Sequence, residues 1–156
     1  MVQKGNVKIY RFIWVFFILV LQAGSLFSQK VKTDSLIALI ETSEDKEKIV
    51  IYLDLSKALE ADFSDSANNY ALDALSLAEK LNDKKSQGLA YLQIGRLFSL
   101  DAKNDQALES FVKAGEIFRD INEYEYLASV YNNICLAYYY LNDLDISYLH
   151  VFTYSE

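Results

Sequence analysis

The chain has 156 residues, of which 52% are hydrophobic and 24% charged, with five glycines and no proline, and this is the length of one domain. Its 22 acidic and 15 basic side chains give a net charge of −7, which argues against a broad nucleic-acid surface, since such a surface must neutralise phosphates. A single Cys and a single His exclude an internal disulfide, a Cys/His zinc site and a His-based catalytic triad. The composition therefore predicts a non-enzymatic protein without metal or cofactor, whose partners are proteins, basic ones above all.

Residues 1–28 have the composition of an export signal. Ten uncharged apolar residues, Phe12–Leu21, follow three basic residues and precede a run of small ones, an order typical of a secretory signal peptide cleaved after Ser25 or Ser28. The alternative is an uncleaved membrane anchor, because the apolar stretch extends to Phe27 and reaches about 16 residues, against the roughly 20 that span a bilayer. The sequence thus predicts a periplasmic or extracellular protein that meets the membrane only through this segment, if it is retained. Its removal takes away three positive charges and changes the net charge from −7 to −10.

The rest of the chain has one sustained period, that of the α-helix. From Asp34 onward it contains no proline and three glycines, and apolar residues recur every three or four positions. Polar clusters divide it into segments of roughly 15 to 20 residues, which predicts antiparallel helices joined by short turns. Residues 29–44 form a lead-in helix in this scheme.

The helical segments repeat with a step of about 40 residues. One apolar stripe, spaced i, i+3, i+4 and i+7, recurs as Tyr91, Ile94, Gly95 and Phe98 and again as Tyr131, Ile134, Cys135 and Tyr138. The same step aligns the following helices and places Asn82 on Asn122 at the closing turn. The first unit fits after a slip of one residue, with the stripe at Tyr52, Leu55, Ser56 and Leu59. We therefore predict units at about 45–83, 84–123 and 124–156, the last one incomplete.

This pattern resembles the tetratricopeptide repeat family. The family's aromatic, Leu-Gly, Tyr, Ala, Phe and Ala positions fall in the middle unit on Tyr91, Ile94-Gly95, Phe98, Ala107, Phe111 and Ala114. The runs Leu77–Gly95 and Tyr131–Asp145 look like the exported bacterial variety, found ahead of membrane histidine kinases and DNA-binding regulators. The resemblance implies an all-α, right-handed α-solenoid of antiparallel helix pairs, whose concave face binds other proteins.

The leading helices of such pairs would line a groove for a peptide or a helix. Once the apolar stripe is turned inward, the residues left to face the groove are Leu92, Gln93, Arg96, Ser99 and Leu100 in the middle unit and Asn132, Asn133, Leu136, Tyr139 and Tyr140 in the last one. Six of them are the candidates for peptide binding: Gln93, Arg96, Asn132, Asn133, Leu136 and Tyr139. The amides can bond the main chain of an extended peptide, although they would serve equally as solvated groups or as braces between helices. Arg96 can hold a peptide carboxylate or pair with a nearby acidic residue. The first unit would add Leu53, Ser56 and Glu60.

The end of the chain allows two interpretations. The aromatic C-terminal quarter, which includes Tyr138–Tyr140, is either a surface for self-association or the uncovered end of an array whose next repeat is missing.

The function predicted first is a non-enzymatic scaffold for proteins or peptides outside the cytoplasm. The alternative is a truncated sensory N-terminal region of a membrane-bound histidine kinase or transcriptional regulator.

Overall fold

A computed structural model describes Trp14 and residues 30–61 and 64–141. Within these ranges the chain is built of helices and turns without a strand, so the predicted all-α class is confirmed. The predicted leader, apart from Trp14, and the predicted last helix after residue 141 lie outside the described residues. Among the described helices, none combines the length and the apolar character needed to cross a bilayer.

From residue 30 onward, the described ranges contain six helical segments. The first, α1, covers residues 30–40. The next five are α2 (Asp45–Leu59), α3 (Ser64–Lys80), α4 (Lys84–Leu100), α5 (Asn104–Asp120) and α6 (Tyr124–Tyr140).

The helix starts follow a regular step along the chain. Helices α3 to α6 begin at residues 64, 84, 104 and 124, so a pair of helices occupies 40 residues, whereas α2 and α4 begin 39 residues apart. Burial follows the same register, because Leu55 and Ser56 of α2 are buried as Ile94 and Gly95 of α4 are. The one-residue slip predicted for the first unit is therefore present in the helix spacing.

The turns that close α3, α4 and α5 share one geometry. Asn82, Ala102 and Asn122 have positive φ angles of 52°, 56° and 60°. At the first of these turns the Asn82 N–H donates to the Glu79 carbonyl at 3.0 Å, and the Asp83 N–H donates to the Ala78 carbonyl at 2.9 Å. These two hydrogen bonds form a Schellman motif, in which backbone N–H groups after the helix donate to its last carbonyl oxygens. The motif requires one residue in the left-handed conformation. Asn is suited to that conformation, but Ala102 is not.

Helices adjacent in sequence pack against each other, and the first helices of successive pairs also meet. Backbone contacts join α2 to α4 and α4 to α6, whereas within the described part of the chain the backbones of α3 and α5 do not come close to each other. Two glycines of α4 permit its close approach to α5. A Cβ atom on Gly95 would lie 2.5 Å from the ring of Phe111, and one on Gly88 would lie 2.7 Å from the ring of Phe118. Both rings are fully buried and form the centre of the core.

Candidate functional site

An open groove of about 570 Å³ lies across the C-terminal ends of the first helices. Helix α4 contributes three of its side chains and α6 three more, and the end of α2, the turn after α4 and the start of α5 complete it. Its lining residues are Glu60, Arg96, Ser99, Leu100, Ala102, Asn104, Asn133, Leu136 and Tyr140.

One side of the groove is apolar and open to solvent. Leu100 is 63% exposed, Leu136 46% and Tyr140 60%. The Tyr140 ring meets that of Tyr139 edge to face, with 5.7 Å between the ring centres. Exposed leucine and tyrosine side chains placed together are typical of surfaces that bury an apolar group of a partner.

The opposite wall is polar and is organised by Glu60. One carboxylate oxygen of Glu60 accepts a hydrogen bond from the Gln93 side-chain amide at 3.1 Å, and the other accepts from the Arg96 guanidinium at 3.2 Å. Gln93 is only 2% exposed, so its amide braces α2 against α4 and does not face the groove. Arg96 pairs with an acidic neighbour, which is one of the two alternatives that the sequence left open. A peptide carboxylate would therefore have to compete with Glu60 for this guanidinium.

The candidates on α6 are divided between the groove and the surface beside it. Asn133 and Leu136 line the groove, and the Asn133 side-chain N–H donates to the Ser129 carbonyl at 2.8 Å, which leaves its amide oxygen as an acceptor. Asn132 and Tyr139 are exposed but do not belong to the lining. Of the six predicted residues, the structure thus brings Arg96, Asn133 and Leu136 together in one groove.

The first unit was predicted only partly. Glu60 belongs to the groove, but Leu53 and Ser56 are buried, with exposures of 5% and 0%, and the expectation that they face a ligand is wrong. The slip of one residue places Ser56 at the buried position of Gly95. Leu53 packs in a core cluster with Ala74 and Ala78 of α3 and Ala90 of α4.

Sequence reasoning missed two lining residues, Ala102 and Asn104, because they belong to a turn and to a second helix. The Asn104 amide oxygen is buried and has no hydrogen-bond partner among the described residues. The sequence does contain one indication of Asn104: the step of 40 residues aligns Asn104 with Ser64. The Ser64 hydroxyl donates to the Asp101 carboxylate at 3.1 Å, a bond whose counterpart is missing at Asn104.

The charges near the groove are paired. Hydrogen bonds from Lys103 and from Ser64 hold the pKa of the Asp101 carboxyl below its ordinary value. The Lys103 ammonium lies 3.0 Å from that carboxylate and 5.9 Å from the centre of the Phe98 ring. In the described ranges, no group of three or more His, Cys, Asp or Glu side chains is placed to hold a metal ion. What the groove offers a ligand is an apolar surface with hydrogen-bonding groups at its edge.

Neither a protein-family model nor a curated protein nor a solved structure matches this chain. The resemblance to tetratricopeptide repeats therefore depends on the residues given above and on the helix geometry.

Proposed function

We propose that this protein is a non-enzymatic scaffold that binds a peptide segment or helix of another protein in the groove. The observation that carries the proposal is the grouping of the exposed side chains of Leu100, Leu136 and Tyr140 in one groove next to Arg96 and Asn133. An apolar side chain of the partner would be buried against the leucines and the tyrosine, and the polar groups would bond its main chain. This division of roles gives affinity from apolar burial and orientation from hydrogen bonds.

The proposed architecture is a right-handed α-solenoid of the tetratricopeptide type. Its support is the step of 39 and 40 residues between equivalent helices and the contacts of α2 with α4 and of α4 with α6. In such stacks each repeat contacts its neighbours, and the first helices line one continuous surface. The groove lies on that surface, where a ligand can touch several repeats at once.

The net charge of −7 bears on the choice of partner. An acidic protein attracts basic partners over distances of about 10 Å at moderate ionic strength, which raises the rate of encounter more than the final affinity. We therefore propose a partner with a basic surface and an apolar anchor. The binding rate should fall as salt is added, while the dissociation rate, which depends on the anchor, should change little.

A pair of leucines allows a matched test of the groove. Leu136 in the groove and Leu72 on α3 are both 46% exposed, but Leu72 lies outside the groove lining. Peptides would first be selected by phage display on the wild-type protein, and their affinity for variants would then be measured by calorimetry. We expect Leu136→Ala to weaken binding about tenfold, which corresponds to about 1.4 kcal/mol, and Leu72→Ala to leave it unchanged. Equal effects of the two substitutions, or selection of no peptide at all, would refute binding in the groove.

Action outside the cytoplasm is the second part of the proposal, and it depends on the leader composition of residues 1–28. Mass spectrometry of the protein recovered from the cell envelope measures whether this segment is removed. A mass that starts after Ser25 or Ser28 supports export and cleavage. Recovery of the intact chain from the cytoplasmic fraction alone would contradict export. The same groove would receive the ligand if the chain is the sensory region of a signalling protein.

A further inference from the structure

The polar wall of the groove has a fixed anion and an exchangeable cation. Glu60 uses both of its carboxylate oxygens: one accepts from the Gln93 side-chain amide at 3.1 Å and the other from the Arg96 guanidinium at 3.2 Å. Gln93 is almost completely buried, whereas the Arg96 side chain is 44% exposed and that of Glu60 is 25% exposed. The two hydrogen bonds of Glu60 therefore lie in different surroundings.

The bond to Gln93 holds Glu60 in place. If the carboxylate moved away, the buried Gln93 amide would lose its acceptor, and a buried donor without a partner carries its full desolvation cost. A carboxylate of a ligand can reach Arg96 only by displacing Glu60 or by lying beside it. Displacement leaves Gln93 without its acceptor, and close approach brings two negative charges together. The wall therefore disfavours an acidic group of a ligand.

Arg96 has no comparable anchor. Within the described part of the chain, its guanidinium bonds to Glu60 alone. An ion pair with this much exposure contributes little to stability, and a guanidinium that leaves the pair is hydrated again. Another cation can thus replace Arg96 on Glu60 at little cost. Gln93 keeps its acceptor during this exchange, because only the oxygen bonded to Arg96 changes its partner.

We propose that Glu60 determines the specificity of the groove by binding a Lys or Arg side chain of the partner, and that Arg96 occupies this place in the free protein. The inference rests on the function proposed above and names the chemistry of the partner segment, a basic side chain together with an apolar one. The apolar side chain would lie against Leu100, Leu136 and Tyr140 of the same groove. The net charge of −7 acts in the same direction, since it attracts cationic segments.

Peptides selected by phage display on the wild-type protein provide the probe. In the tightest binder, each basic residue in turn would be replaced by norleucine, which keeps the aliphatic chain and lacks the charged group, or by Glu. Calorimetry measures the affinities. At one position we expect the basic peptide to bind about tenfold more tightly than the norleucine peptide, and the Glu peptide to bind most weakly.

Variants of the wall assign this preference to Glu60. Glu60→Gln keeps a carbonyl oxygen as an acceptor for Gln93, and the preference for the basic peptide over the norleucine peptide should disappear. Arg96→Met removes the internal competitor and should raise the preference about two- to fivefold, because the wall no longer has to open first. A bond from Arg96 to the peptide main chain is common to both peptides and cancels in this ratio. Glu109→Gln makes the same charge change at an exposed ion pair on α5 and should leave the preference unchanged.

The outcomes separate this inference from the function on which it rests. Selection of no peptide, or of peptides that bind Leu136→Ala as tightly as the wild type, would refute binding in the groove and the inference with it. Peptides that bind in the groove without preferring a basic residue to norleucine would overturn the inference alone. So would a preference that survives Glu60→Gln in a protein shown by circular dichroism to be folded. A preference that falls in Arg96→Met would do the same, and this variant decides the question if Glu60→Gln does not fold.

Discussion

The contact of Gly95 with Phe111 gives the sharpest prediction of stability. Substitution of Gly95 by Ala would place a Cβ atom 2.5 Å and 2.6 Å from two carbon atoms of the Phe111 ring. The ring is fully buried in the core, so moving it would also displace its neighbours there. Either the ring must leave its rotamer or the two helices must separate.

The expected free-energy change is a difference between two effects. Overpacking of a core costs about 1–3 kcal/mol. Because the new Cβ atom would lie very close to the rigid ring of Phe111, we expect a cost of about 3 kcal/mol. Replacement of Gly by Ala inside a helix stabilises it by about 1 kcal/mol. We therefore expect Gly95→Ala to lower the free energy of unfolding by about 2 kcal/mol and Tm by roughly 8 °C.

Gly115→Ala is the matched control for this prediction. Its new Cβ would lie 3.3 Å from a methyl carbon of Val130, a contact that a shift of a few tenths of an ångström relieves. The gain in helix propensity offsets that strain, and the free energy of unfolding should stay within about 1 kcal/mol of the wild-type value. Urea unfolding followed by circular dichroism measures both variants. A Gly95→Ala protein as stable as Gly115→Ala would refute the close packing of α4 on α5.

Three further predictions concern the turns and the polar wall. Ala102→Gly should stabilise the protein by about 1 kcal/mol, since glycine adopts the positive φ of 56° without steric cost, and thermal unfolding measures the gain. Glu60→Ala should destabilise the protein by about 1–3 kcal/mol, because the buried amide of Gln93 loses its hydrogen-bond acceptor. Urea unfolding measures this loss. Glu109→Ala, which removes an exposed ion pair, is the control. Asp101→Asn should lower Tm at neutral pH but have little effect well below pH 3.8, the ordinary pKa of this carboxyl group. Because the folded protein lowers the pKa of Asp101, the ionised carboxylate stabilises the fold above pH 3.8. That stabilisation is lost as the carboxylate is protonated.

Each of these predictions has an outcome that contradicts it. A destabilised Ala102→Gly protein would show that the turn does not need a left-handed residue. Equal losses in Glu60→Ala and Glu109→Ala would remove the special role of Glu60. An effect of Asp101→Asn that is the same at neutral and acid pH would mean that the charge of Asp101 is not what stabilises the turn.

The helices could be predicted because their signal is local. The spacing of Tyr91, Ile94, Gly95 and Phe98 fixes which side of α4 faces its neighbours, and repetition of that spacing fixes the register of α6. The polar clusters between these stripes marked the turns for the same reason. Residues three and four apart lie together on a helix whatever the rest of the chain does.

The groove was predicted only partly because its details depend on contacts between helices. Gln93 has the side chain of a peptide-binding residue, and only the position of Glu60, just after α2, shows that its amide is used inside the protein. The positive φ of Ala102 could not be predicted, because alanine does not favour that conformation. The residues at the same place in the other two turns, Asn82 and Asn122, do favour it. Here the hydrogen bonds of the turn outweigh the local preference of the residue.

Binding in the groove is tested most directly by nuclear magnetic resonance of the isotope-labelled protein during titration with a selected peptide. The account predicts chemical-shift changes concentrated in the amides of Arg96–Leu100 and Asn133–Tyr140, with the outer surfaces of α3 and α5 unaffected. Changes confined to α3 and α5, with the groove residues unchanged, would contradict the account.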